Sequence, residues 1–464
     1  KDSIHLEREK CLICITKKRC DSGLFYVDSE NLSRQALSLL TQDEILGYDD
    51  PHGGYFITHD IYEEWALDKI VSRSFNQVSS AAEFFVKLGD SLPMRRAFRL
   101  WMSNKLSECV NDIAFLIASI SCNEISNHWR DEILVAILLS EYSKTFFEKF
   151  EQQIIADNFR ILKRILFLLR IACTDVSVEN YIERTKPKGK GWQETIAIVY
   201  KYRQSFLEDN LKLILPILKD WTCSNKKGAA TRQSGLLLLD ILKKHESDTM
   251  FFIGRNIEET FFQVIYNSAQ ELKPELKEIF DKVVKNHWTD GRNPYVDFCS
   301  KILEKPYLAF DLINSLPLSV IQLCDLFWKK KPLPKDDFWG ERDTMENRYG
   351  LADRFDFNYH PSSANQTPIK WLLNVAFHPT LDFIIAFTNQ AVDCYRKSDL
   401  GQRDVKLVKL HVEKNEISQY ICDAFWNMYR GTGSPVVPNV LQSMHMALER
   451  TLLDFAKIVE PEML

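Results

Sequence analysis

From residue 76 onward, apolar residues recur at the three- and four-residue spacing that is typical of amphipathic helices, and alternation of apolar and polar residues is almost absent. The pattern predicts one helix after another, separated by short breaks at Pro, Gly, Asn or Asp. The predicted helices are Val86–Leu106, Ile133–Phe150, Phe159–Cys173, Trp192–Phe206, Leu211–Trp221, Gly228–His245, Glu258–Ala269, Pro274–Asn286, Tyr295–Leu303 and Ser319–Lys330. We therefore expect a mostly α fold in which residues 76–331 form an irregular α-solenoid.

This helical array has no repeat of fixed length, and the Trp-Leu-Gly consensus of tetratricopeptide repeats is not reproduced. We call it TPR-like by architecture only. Residues 332–367 lack periodicity and form a polar and aromatic connector, and residues 368–464 form a C-terminal helical region.

Residues 1–75 have a different pattern. Leu32–Leu46 reads as an amphipathic helix, Gly53 and Gly54 suit a tight turn, and Tyr55–Thr58 is a short extended run. A second helix should begin at Asp60, with the Asp60 carboxylate as its N-cap and a Glu63 side chain completing a capping box. Helix, hairpin and helix in this order predict a small winged-helix-like module.

Two groups of side chains are candidate partner-binding residues. Arg95, Arg96 and Arg99 lie within two helical turns and either contact an acidic partner or phosphates, or form solvated ion pairs. The aromatic residues of the connector are either binding anchors or pins that hold an irregular segment on the helical core. The aromatic candidates are Trp339, Tyr349, Phe355 and Tyr359.

Composition limits the function classes. The net charge of -5 gives no general attraction to nucleic acid, and no apolar run approaches the roughly 20 residues of a membrane span. Eleven scattered cysteines fit a reduced, cytoplasmic protein. Cys11 and Cys14 form a CxxC on an apolar strand predicted for Cys11–Ile15, but no further ligand pair follows at zinc-finger spacing. We therefore expect no metal site.

No pattern typical of an enzyme stands out either. A GxSxG elbow, an HExxH motif and a Cys/His pairing with family context are missing. The glycine-containing segment Lys186–Gly191 lacks both the GxxxxGK[ST] arrangement and a clear preceding strand, so it does not predict a P-loop. We expect no catalytic residue in this chain.

The triplet Thr58-His59-Asp60 after a strand resembles the MHD-type motif that closes the nucleotide module of STAND NTPases. Further strings, in consistent order along the chain, resemble the large antiviral STAND NTPases of bacteria, the AVAST type. These strings are Arg95–Trp101, Trp129–Glu132, Tyr349–Leu351, Tyr359–Ala364, Gln366–Pro368, Leu381–Ile384, Tyr429–Gly431 and Met446–Glu449.

The resemblance implies a sensor and regulatory portion that binds a conserved phage protein, the large terminase subunit or, second, the portal. Binding would trigger ATP-dependent homo-oligomerisation and activate an N-terminal effector enzyme. Because the chain starts at Lys1 in charged sequence, we expect it to be a piece of a longer ATPase whose core lies upstream. ATP, ADP and Mg would then be cofactors of the parent protein and not of this segment.

In that family the histidine of the motif faces the β-phosphate of bound ADP, a role that the resemblance gives to His59. The alternative for the triplet is a solvated histidine at a helix start. The helix after His59 carries Asp60, Glu63, Glu64 and Asp68, which would repel DNA, so we expect no direct nucleic-acid binding. The alternative for the whole chain is a generic helical scaffold for protein–protein interaction without a viral trigger.

Overall fold

The computed structural model describes residues 2–121, 124–179, 182–246, 255–288, 293–328, 368–384 and 386–387. These residues are mostly helical, which confirms the predicted fold class. The chain divides into two compact units, Lys1–Ser224 and Asn225–Leu464. The connector 332–367 and most of the C-terminal region 368–464 lie outside the described residues. The boundary at residue 75 stays a prediction.

The first unit begins with a small helical module that holds a two-stranded sheet. Its elements are α1 (Asp2–Ser22), α2 (Arg34–Gln42), β1 (Leu46–Asp49), β2 (Gly54–Ile57) and α3 (Asp60–Phe75). The strands pair antiparallel with Leu46 opposite Ile57, and Gly53 supplies the positive φ of the turn. Val27 pairs with Tyr55 as an isolated bridge. The order of helix, hairpin and helix is as expected, but the predicted helix Leu32–Leu46 is too long, since α2 ends at Gln42 and Leu46 begins β1. The winged-helix assignment stays a prediction.

Two local predictions for this module are wrong. Cys11–Ile15 belongs to α1 and not to a strand, since Cys11, Leu12 and Ile15 are buried at helical spacing and a short apolar run does not distinguish the two. The N-cap of α3 is His59 and not Asp60, and its side chain makes no capping hydrogen bond. Asp60 is the first helical residue, so its carboxylate acts only through the helix dipole.

The rest of the first unit is a run of helices interrupted by one hairpin. Its elements are α4 (Ala81–Leu88), α5 (Leu92–Glu108), α6 (Ala114–Ala118), α7 (Asn127–Leu139), α8 (Ser143–Lys149), α9 (Glu151–Ala172), β3 (Thr174–Glu179), β4 (Ile182–Pro187), α10 (Gly191–Lys201) and α11 (Arg203–Ser224). Its core includes a set of packed aromatic rings. These are Phe84, Phe85, Phe98, Trp101 and Trp129.

Three predicted long helices of this unit are each divided in two. Val86–Leu106 breaks at Gly89, whose positive φ ends α4. Ile133–Phe150 breaks at Ser140, whose backbone is extended, and Trp192–Phe206 breaks at Tyr202. The hairpin of β3 and β4 was not predicted, because its strands are polar and only Val176 and Val178 mark an alternation.

Helix α9 contains a sharp break of its own. Asp157, Asn158 and Phe159 all have positive φ, so the segment is a left-handed turn between two helical parts. Asp and Asn tolerate this conformation, whereas it is strained for Phe. The Phe159 ring packs edge-on against Phe206 of α11, with centroids 5.1 Å apart. This contact helps to hold the strained residue in place.

The second unit is helical throughout its described residues. Its helices are α12 (Ala229–Lys244), α13 (Arg255–Asn267), α14 (Lys273–Lys285), α15 (Pro294–Glu304), α16 (Phe310–Ser315), α17 (Pro317–Trp328) and α18 (Ile369–Val375). Buried rings of Phe262, Tyr266, Phe280 and Phe298 form its core, and the Tyr266 hydroxyl donates to the Phe298 carbonyl at 2.9 Å. Among the described residues, no helix is long and apolar enough to cross a membrane.

Asp297 of α15 makes the stability of this unit depend on pH. Burial, and then the neighbouring Glu258 carboxylate, raise the pKa of Asp297 to about 6. The folded state therefore binds the proton more tightly than the unfolded state, and stability falls as pH rises from about 4 to about 6. Above that range the charged carboxylate remains as a penalty.

We predict that Asp297→Asn stabilises the protein at pH 7.5 by about 1 kcal/mol, a value discounted for partial exposure. The gain should disappear near pH 4, where Asp297 of the unsubstituted chain is protonated. Heat denaturation followed by circular dichroism at both pH values measures the difference. If Asp297→Asn is no more stable than the unsubstituted chain at pH 7.5, the raised pKa of Asp297 is contradicted.

Candidate functional site

His59 lies where the hairpin meets α3. Its backbone is extended, its carbonyl accepts the amide hydrogen of Tyr62 at 3.0 Å, and its side chain is exposed. The imidazole lies near the Tyr62 ring, with centroids 5.9 Å apart. Just before it, the Thr58 hydroxyl donates to the Ile45 carbonyl at 3.1 Å and ties this junction to the start of β1. The junction therefore presents an accessible imidazole from a fixed position.

The charges around His59 are mostly negative. Asp60 and Glu63 lie in the first turn of α3, and Glu64 follows them on the exposed surface. The Arg19 guanidinium lies 3.7 Å from the Glu63 carboxylate and stacks over Phe25. These carboxylates do not favour a phosphate by themselves. A nucleotide next to His59 would therefore need further cationic groups.

The three arginines of α5 have different environments. The Arg99 Nε donates to the Glu132 carboxylate on α7 at 2.7 Å, and the Arg95 guanidinium lies 4.0 Å from Asp90. The Arg95 Nε is buried without a hydrogen-bond partner among the described residues. Arg96 is exposed. Arg99 is therefore mainly structural, and Arg96 is the arginine most accessible to a partner.

Helix α7 carries two adjacent carboxylates that reach in opposite directions. Glu132 binds Arg99 of α5, and Asp131 accepts from the Arg164 Nε of α9 at 2.8 Å, with a second, shorter bond from the same guanidinium. Arg170, six residues further along α9, lies 3.4 Å from Asp220 of α11. Ion pairs thus join α5 to α7, α7 to α9 and α9 to α11. Sequence analysis missed them, because their partners are 33 to 50 residues apart.

The aromatic candidates of the connector, Trp339, Tyr349, Phe355 and Tyr359, lie outside the described residues. Their proposed binding role stays a prediction. Other exposed apolar side chains lie on α4 and α5, which sequence analysis did not single out. Val86, Leu92 and Leu100 are more than half exposed.

The segment Lys186–Gly191 begins inside a strand, contrary to expectation, since its first two residues are the end of β4. A Cβ on Gly189 would lie 2.5 Å from the Leu138 carbonyl oxygen, and a Cβ on Gly191 would lie 2.5 Å from the Leu138 side chain. Both glycines are therefore required by close packing on the end of α7. This explains them without a phosphate ligand.

The environment of each cysteine decides whether its thiol could bind a metal or react. Cys11 is buried and Cys14 is partly exposed on α1, and no group of three or more His, Cys, Asp or Glu side chains in the described ranges could hold a metal ion. Cys173 is buried at the end of α9, where its carbonyl accepts the Trp192 indole N–H at 2.8 Å. Burial raises the pKa of the Cys173 thiol to about 12, against a smaller opposing effect of Arg99.

We predict that iodoacetamide at pH 8 alkylates exposed Cys109 and leaves Cys173 unmodified. The thiolate is the reactive form, and the raised pKa together with burial should slow Cys173 by more than about a thousandfold. Peptide mass spectrometry over time measures both rates, and denaturation in urea should equalise them. Rates within tenfold of each other in the native protein would show that the end of α9 is open.

We also predict that Glu132→Gln destabilises the protein by about 1 kcal/mol in urea denaturation, because Arg99 loses a charged partner that is only 12% exposed. Glu108→Gln is the matched control on α5. Its pair with Lys105, at 3.9 Å, is exposed, so removing it should change stability by less than about 0.5 kcal/mol. Equal effects of the two substitutions would rule out a special role for the pair between α5 and α7.

Comparison with known proteins assigns no family to this chain. No protein-family model matches it, and a search of curated proteins finds no significant match. Its family therefore stays a prediction that rests on the resemblance of short sequence strings.

Proposed function

We propose that this chain is the sensor and regulatory portion of a bacterial antiphage STAND NTPase of the AVAST type, acting in the cytoplasm. Its helical array would bind a conserved phage protein, with the large terminase subunit favoured and the portal next. Binding would lead to ATP-dependent homo-oligomerisation of the parent protein and to activation of its effector enzyme. The segment itself would contribute recognition and control, without catalysis.

The observation that carries the proposal is the position of His59. An exposed imidazole, fixed between a hairpin and the first residue of α3, stands directly before a long helical array. An imidazole can donate a hydrogen bond to a phosphate oxygen, and one contact of this kind suits a sensor of nucleotide state. Since its neighbours Asp60 and Glu64 are acidic, the ATPase core of the parent protein would supply the cationic groups and Mg.

A generic helical scaffold is the second candidate function. It is favoured by the exposed apolar side chains Val86, Leu92 and Leu100, which would suit contact with any cellular protein. Such a scaffold needs neither a viral trigger nor a nucleotide-sensing histidine. The two candidates therefore differ in partner and in the role of His59.

The first prediction from this proposal concerns the partner. The purified chain should form a complex with a large terminase subunit or a portal protein, observed by mass photometry, and should hydrolyse no ATP. Arg96→Glu should weaken that complex by about tenfold, because Arg96 is exposed and removing it breaks no ion pair within the described ranges. Arg34→Glu on α2, the same charge change at another exposed position, is the control.

Failure to bind any of a panel of phage structural proteins, together with binding to host proteins, would favour the generic scaffold. Equal weakening by Arg34→Glu would indicate a general charge effect rather than recognition by α5.

The second prediction concerns the switch. In the full-length parent protein, His59→Ala should activate the effector without any phage protein, because the inactive ADP-bound state loses a contact. His52→Ala is the matched control, since His52 is also exposed and lies in the nearby turn, where it pairs with Asp49. Effector activity in the absence of a trigger is the measurement. If the His59→Ala protein is inactive without the trigger and is activated normally by it, phosphate sensing by His59 is refuted.

A further inference from the structure

A cavity of about 500 Å³ lies in the first unit, between α7 and the part of α9 that follows its left-handed turn. Four cationic side chains and one carboxylate line it, although the whole chain carries a net charge of -5. The charged lining residues are Arg130, Asp131, Arg160, Lys163 and Arg164. The cavity is therefore a local basic site in an acidic protein.

Two of the guanidinium groups are held in place by the fold. Arg130 donates from Nε and Nη2 to the Ile125 carbonyl, at 3.2 and 3.1 Å. Arg164 is fixed by its two bonds to Asp131. A guanidinium has five N–H donors, so each arginine keeps several for a ligand. Donors that are ordered before binding lose little entropy when a ligand arrives.

The other two cations lie on the same part of α9. Arg160 is the first residue after the left-handed turn and lies 3.4 Å from the Asp157 carboxylate, and both side chains are exposed. An exposed pair of this kind is weak and can be exchanged for a ligand. Lys163 has no ion pair in the part of the chain that the structure describes. Both side chains are thus available to an anion.

The remaining lining residues of the cavity are apolar except for Asn127. Leu134 is buried beneath the cavity, and Phe167 lies at its edge with 46% of its surface exposed. The Arg164 guanidinium lies over the Phe167 ring, 4.6 Å from the centroid. A planar ring can extend such a stack, as bases do on aromatic and arginine side chains. The cavity volume is in the range of small-molecule sites.

We propose that this cavity binds a nucleotide, with its phosphates on Arg130, Arg160, Lys163 and Arg164 and its base against Phe167. The cationic groups bind the phosphates, and the apolar wall with its exposed ring favours an aromatic base over a plain anion. The site is separate from His59 and does not depend on the proposed function.

The test is isothermal titration calorimetry on the whole chain with ATP, pyrophosphate, adenosine and a hexaglutamate peptide. ATP should bind most tightly, pyrophosphate at least about tenfold more weakly, and adenosine more weakly still. Arg160→Gln and Lys163→Gln should each weaken ATP binding by about fivefold to tenfold, since each removes one phosphate contact. Neither side chain is buried, so both variants should fold.

Arg34→Gln, which changes an exposed arginine on another helix, should leave ATP affinity unchanged. A loss of ATP binding in His59→Ala would place the nucleotide at the hairpin and overturn this inference. So would pyrophosphate, adenosine or hexaglutamate binding as tightly as ATP, absence of ATP binding at about 1 mM, or equal weakening by Arg34→Gln.

Discussion

The first unit depends on the burial of α7. Ile133 through Leu138 are six consecutive buried residues, and Trp129 is buried one turn earlier. A helical segment that is apolar on all sides, as Ile133–Leu138 is, must be covered on every side, and α7 packs against α5, α8, α9 and α10. Full burial of one such side chain contributes about 1.5 to 3 kcal/mol, so this helix stabilises the unit more than any ion pair on its surface.

The polar groups of α7 are placed by this burial. With its apolar residues inside, Asp131 and Glu132 remain near the surface and bind arginines of the two flanking helices. The same geometry holds Arg164 at the wall of the basic cavity and Arg99 next to α7. The proposed partner surface and the proposed nucleotide site are thus both positioned by one buried helix. A change in the packing of α7 would therefore displace side chains at both sites.

Helical periodicity predicted the fold class and the approximate position of most helices, because amphipathic spacing is a local property of the sequence. It did not predict the breaks at Ser140 and Tyr202 or the left-handed turn at Asp157, since these depend on tertiary packing. In the hairpin of β3 and β4, the alternation of apolar and polar residues is too weak to predict two strands. A short motif made His59 a candidate, a role that stays a prediction, whereas no sequence pattern pointed to the basic cavity. Its cations come from two helices, and only their packing brings Arg130 and Arg164 together.

The most direct test of this account is hydrogen–deuterium exchange of the whole chain, read by mass spectrometry. If α7 is the fixed centre of the first unit, the amides of Ile133–Leu138 should exchange more slowly than those of α1 and α3, because their opening requires loss of the core. Exchange of α7 as fast as that of α1 would contradict the central role of this helix.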